Sequence, residues 1–166
     1  MNRKALLVIV SLFVAFAVFF SCTSEQNSNN TPLEEPSVQV NIPLIYHMSF
    51  MSRYTKKLYF SGMAENWGLA DIYSHELEEI SDIIMDVGYV HDGIDVGELL
   101  KILLVPQLKL VEEAIEKRDK AQFVSSYRGL IQTCNSCHVA ANYSAVRVTV
   151  PETNPFNHDF TPMSRN

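Results

Sequence analysis

The sequence predicts an all-α fold: a four-helix bundle whose last helix carries an attachment motif near its C-terminal end, followed by a short extended tail. Three observations lead there. From residue 44 onward, apolar residues recur at spacings of three and four. The breaks between those runs carry turn and cap residues, namely Gly88, Gly93 and Gly97 and then Asp119. After Asn142 the pattern changes: Val146, Val148 and Val150 alternate with Arg147 and Thr149 and prolines follow, a short extended segment.

The elements follow in order. Leu44, Met48, Met51, Thr55, Leu58 and Gly62 form the inner seam of a first helix over about 43–62. A second stripe, Leu69, Tyr73, Leu77, Ile80, Ile84 and Val87, predicts a helix over about 66–88, with Glu78, Glu79 and Asp82 turned to solvent. Segment 98–118 is apolar through Leu99, Leu100, Leu103 and Leu104, meets Pro106, and resumes at Leu110, Val111, Ala114 and Ile115. Because proline lacks an amide hydrogen and crowds the preceding turn, this is one kinked helix or two short ones. Asp119 followed three residues later by Gln122 resembles a capping box, so a fourth helix begins near Lys120. Its inward stripe is Phe123, Tyr127, Leu130, Cys134 and Cys137, which puts both cysteines on the hydrophobic face.

The chain ahead of these helices reads as an address and a spacer. Arg3 and Lys4 precede an apolar run from Ala5 to Phe20 broken only by Ser11, and Ser21-Cys22 follows, the pattern of a secretory signal. Sixteen helical residues span roughly 24 Å, short of the ~30 Å hydrocarbon core, so a permanent transmembrane helix is the weaker alternative. Residues 22–42 are polar and carry Pro32 and Pro36, with Pro43 just beyond, as expected of a flexible tether. The expected organisation is therefore signal peptide 1–21, tether 22–42, helical domain 43–142 and extended tail 143–166.

Of the 166 residues 47% are hydrophobic and the net charge is −6. Without Arg3 and Lys4 the mature chain has 11 basic against 19 acidic residues, net −8, which repels a phosphate backbone and argues against nucleic acid as a partner. Three cysteines are too few for a disulfide scaffold.

Cys134-Asn135-Ser136-Cys137-His138 is C-x-x-C-H, the attachment signature of c-type haem. Residues at i and i+3 share a helix face, so both sulfurs can reach one edge of a porphyrin, while i+4 lets the imidazole turn to the iron. A thioredoxin-like redox pair would follow a strand, and none is predicted before this helix. A structural zinc needs about four ligands, and only these three lie close together in sequence.

On that motif, with four predicted helices around it, the chain resembles the class II cytochromes c, the cytochrome c-prime group and its low-spin relatives, over roughly residues 43–142. The resemblance implies one covalent haem c held between helices 1 and 4, through Cys134 and Cys137, with His138 as the proximal ligand. It also implies that helix 1 faces the distal side, where Met48 or Met51 can supply a sulfur. Members of that group often dimerise, so a second copy is among the implied partners. The chain departs from the group where Val139 to Tyr143 replace the usual basic residue after the histidine, and in its tail beyond Arg147.

The end of the leader, Phe19-Phe20-Ser21-Cys22, resembles a bacterial lipobox, which implies acylation of Cys22 and a lipid anchor at the cell envelope, facing the periplasm. The other histidines read as solvated surface residues: His47 off the seam, His75 on the acidic face, His91 and His158 in loops. The function expected from all this is a membrane-tethered carrier of single electrons between redox proteins, and not an enzyme. The alternative is a five-coordinate haem protein that binds or senses NO or CO.

Overall fold

The computed structural model describes residues 42–163. The predicted leader 1–21, the lipidation candidate Cys22, the tether up to residue 41, and residues 164–166 lie outside them. The described residues are mostly helical, with four helices and one two-stranded hairpin. Helix α1 spans Leu44–Met63 and α2 spans Trp67–Val87. Strands β1 (Val90–His91) and β2 (Ile94–Asp95) pair antiparallel, Val90 with Asp95 and His91 with Ile94. The third helical stretch, α3, covers 96–116 in three pieces: an α turn Val96–Leu99, a π segment Leu100–Leu104 and an α segment Val105–Glu116. Helix α4 spans Lys120–Ala140.

Helix boundaries agree with the periodicity to within a few residues. Asp119 caps α4 as expected, its carboxylate accepting from the Gln122 amide at 2.9 Å. Asn66 and Asp95 do the same for α2 and α3, at 3.3 and 3.0 Å. The C-termini of α1, α3 and α4 end on Glu65, Arg118 and Asn142, all with positive φ between 50° and 62°. In each case the next amide reaches back five residues in Schellman fashion, as Tyr143 N–H does to the His138 carbonyl at 2.7 Å. None of the three is glycine, so composition gave no warning of these left-handed turns.

Pro106 neither breaks α3 nor separates two helices. The Val105 amide bonds back to the Leu100 carbonyl, five residues away, and this widened turn just ahead of the proline accommodates the missing amide hydrogen and the ring's crowding. The hairpin was not foreseen. Asp92 and Gly93 both take positive φ, 50° and 78°, which a two-residue hairpin turn of the primed type demands.

The four helices share one core that includes Leu58, Leu77, Ile84, Val111, Phe123 and Leu130. Helices α1 and α4 run antiparallel, with Gly62 opposite Phe123 and Thr55 opposite Tyr127. A Cβ on Gly62 would stand 2.2 Å from the Phe123 ring, so only glycine permits the approach. One turn along, the Tyr127 hydroxyl donates to the Thr55 carbonyl at 3.0 Å. Helix α3 joins α4 through Gln107, whose amide donates to the Ser126 carbonyl at 2.9 Å and lies over Gly129. Two stripe members sit further out than predicted: Val87 and Leu110 are nearly half exposed, each near the end of its helix or away from a partner helix.

The segment after α4 packs on the helices instead of leaving them. Val148 and Val150 rest against the core, Phe160 is buried on Phe60 with ring centres 5.6 Å apart, and the Asn66 amide donates to the Phe160 carbonyl at 3.2 Å. Phe156 closes over Lys57, whose ammonium lies 5.0 Å from the Tyr73 ring centre and 5.6 Å from that of Phe156. Sandwiching between two rings explains how this lysine is buried without a carboxylate.

Candidate functional site

The motif occupies the last turns of α4, which ends at Ala140, two residues after His138. Cys134 packs against the hydrophobic core, and Cys137 and His138 are half-buried beside it. Both cysteines are free thiols. Burial pushes the Cys134 thiol up to about 12, with repulsion from Cys137 adding to it, and burial also raises Cys137. Thiol–disulfide exchange requires the opposite, a thiol depressed toward neutrality by positive surroundings. Burial thus works against thiolate formation at both sulfurs, the reverse of what activates a redox dithiol.

His138 is oriented by the tail. Its Nδ1 lies 3.0 Å from the carbonyl oxygen of Val146. A carbonyl can only accept, so Nδ1 carries the proton, and in the neutral ring Nε2 presents a bare lone pair. An imidazole with one nitrogen engaged by a backbone carbonyl and the other free is the arrangement from which histidine binds a metal.

The opposing helix brings apolar groups to the same level. Counted from the Thr55–Tyr127 contact, seven residues back along α1 is Met48 and seven forward along α4 is Cys134; counted from Gly62 on Phe123, eleven residues lead to Met51 and Cys134, so the helix register brackets the two methionines. Met51 lies one turn closer to the contact. Leu44, Met48 and Met51 are each half-buried and packed against the core. Next to the motif along the chain, Val139, Tyr143 and Val146 are exposed apolar residues. No group of three or more His, Cys, Asp and Glu side chains gathers among the described residues, where a structural zinc needs about four donors.

Sequence reasoning missed two features here. His47, read as a surface residue, is buried. Its ring packs on Tyr89, centres 5.7 Å apart, because the loop after α2 folds back over the start of α1 and the Tyr89 hydroxyl donates to the Ile42 carbonyl. Asn135, taken only as a spacer in the motif, bonds twice to Val148. The alternating valines after the helix were the available signal, since an extended strand needs a partner and a side-chain amide can serve as one. His75 behaves as predicted, exposed between Glu78 and Glu79 at 3.6 and 3.2 Å. His91 is half-buried and stacks on Tyr143 at 4.3 Å, close to the motif.

A hollow of about 550 Å³ lies at the other end of the helices, between Trp67, Arg118 and Pro162, and it contains none of the motif donors. No helix among the described residues is long and apolar enough to cross a membrane. Comparison with known protein families, with curated proteins and with solved structures returns no match.

Proposed function

We propose that the four helices form the bundle of a class II c-type cytochrome, and that the chain is an exported, lipid-anchored carrier of single electrons. The observation that supports this most directly is the state of His138 in its sequence context: a C-x-x-C-H histidine with Nδ1 held by the Val146 carbonyl and Nε2 free. The donor set fits haem c. Cys134 and Cys137 would hold it through two thioethers, His138 would be the proximal ligand, and Met48 or Met51 the distal one. The iron of that group supplies the chemistry, a one-electron cycle between ferric and ferrous states.

The remaining work falls to the chain. Leu44, Met48 and Met51 remove water from one side of the site, and a thioether ligand from α1 raises the potential relative to nitrogen or oxygen donors. The Val146 carbonyl fixes the rotation of the His138 ring. Exposed Val139, Tyr143 and Val146 offer an apolar contact patch beside the motif, and the acidic side of α2 with Glu78 and Glu79 steers a basic redox protein toward it. Acylated Cys22 and the tether keep the domain near an envelope membrane.

The test is expression in a host that matures c-type cytochromes. The expected product retains haem after denaturation and gives low-spin spectra in both oxidation states. Of Met48→Ala and Met51→Ala, made singly, one turns the spectrum high-spin and the other leaves it low-spin; if neither changes it, the distal assignment is wrong. A high-spin wild type would replace electron carriage with the NO- or CO-binding alternative, and a wild type without covalent haem would overturn both. Cys22→Ser should release the protein from membranes, whereas unchanged retention favours an uncleaved helix.

A further inference from the structure

Building on the reading of His138 as an iron ligand, we propose that Asn135, inside the motif, is a positioning residue that sets the orientation and donor strength of His138 by clamping the C-terminal segment whose carbonyl the histidine engages.

The geometry is a pair of fastenings between one helical turn and one extended run. Nδ2 of Asn135 donates to the Val148 carbonyl at 2.9 Å, and its Oδ1 accepts from the Val148 amide at 2.8 Å. These are the two bonds that one strand residue offers another across a ladder, here supplied by a side chain. Two residues earlier in the same run, the Val146 carbonyl meets Nδ1 of His138 at 3.0 Å. Residues 135 and 138 are one turn apart on α4, about 5 Å, and residues 146 and 148 are about 6.5 Å apart along an extended chain. The two spacings match closely enough for both contacts to form together.

Further along, the tail is held far from the motif, by Phe156 over Lys57 and by the Asn66 amide on the Phe160 carbonyl. On the near side, the Val146 amide donates to the Tyr143 carbonyl at 2.9 Å and ties residue 146 to the turn after α4. On the far side, Asn135 binds both polar atoms of Val148, which fixes the strand's rotation as well as its distance and, together with that turn, where the Val146 carbonyl points. A donor at Nδ1 that engages a carbonyl increases the electron density at Nε2 and favours the ferric state. Releasing the clamp should weaken that bond and shift the equilibrium toward ferrous iron. Ser136, the other spacer, provides the contrast: its hydroxyl donates back within α4 to the Gln132 carbonyl at 3.1 Å instead of to the tail.

The experiment uses the full-length haem-loaded protein and two readouts, hydrogen exchange at the Val148 amide and the midpoint potential. Asn135→Ala is expected to speed exchange at Val148 roughly fivefold or more, as for one lost hydrogen bond, and to raise the potential. Val148→Pro, which removes the amide hydrogen and leaves Asn135 intact, should raise the potential in the same direction and provides the test if Asn135→Ala fails to mature. The double variant should add little to either single one, because both break one linkage. Ser136→Ala should change neither readout. Faster exchange with an unchanged potential would mean that Asn135 only holds the tail, and would overturn the proposal while leaving the haem reading intact. Additive potential shifts would overturn it too. Wild-type protein lacking covalent haem would overturn the proposal and the reading beneath it together.

Discussion

The two ends of the α1–α4 seam are built from the same kinds of residue and end in different states. At one end Gly62 admits the Phe123 ring, Tyr127 reaches the Thr55 backbone, and Leu58, Phe123 and Tyr127 are at most 1% exposed. At the other, Leu44, Met48, Met51, Cys134 and His138 continue the same periodic stripes yet stay half-buried. Apolar periodicity thus places a residue on a face without deciding whether that face is covered. The closed end is completed by the chain's own side chains. The open end carries thiols, thioethers and an oriented imidazole, which is where a large flat apolar group would complete the packing.

Phe123→Ala should break the closed end. Removing a fully buried ring should cost about 3–5 kcal/mol in denaturant unfolding, and equally with or without haem, because the motif lies about three to four turns away. A much smaller loss would mean that the two ends are not so differently packed. Gly62→Ala should cost about 1–3 kcal/mol by forcing the Phe123 ring aside. At the open end, Met48→Ala and Met51→Ala should each cost only about 1 kcal/mol in the haem-free protein, since a half-buried side chain leaves little cavity. Equal costs at the two ends would erase the distinction.

The smallest effect sharpens the comparison by pH. Cys134 has its thiol raised to about 12 in the folded chain against an ordinary value of 9.0. The folded state therefore holds this proton more tightly than the unfolded state does. Its contribution to stability is complete below pH 9 and is lost as pH rises from about 9 through about 12. Haem-free protein should lose stability across that window, and Cys134→Ser should flatten the slope. Haem-loaded protein, with the sulfur in a thioether, should show no such contribution, and an identical slope in both forms would contradict the attachment.

Much of the helical framework was legible in local pattern. The seam of α1, the stripe of α2, the Asp119 cap and the shared face of Phe123, Tyr127, Leu130 and Cys134 follow from spacing, because helical geometry repeats every 3.6 residues regardless of context. His47 was not legible, since an off-seam position is buried only when a distant loop, here the one bearing Tyr89, folds across it. Nor was the π segment before Pro106: the sequence announces that a proline must be accommodated without saying whether a kink, a break or a widened turn will do it.

The sequence by itself determined which residues form helices and that both thiols and an imidazole occupy one turn of the last of them, because those properties depend on neighbours within a few positions. Only the tertiary structure decided that the Val146 carbonyl engages His138 and that Asn135 bonds twice to Val148. Backbone carbonyls and amides belong to every residue and leave no mark in composition, and register between helices is set by close approaches such as Gly62 on Phe123, which exist only once the chain has packed.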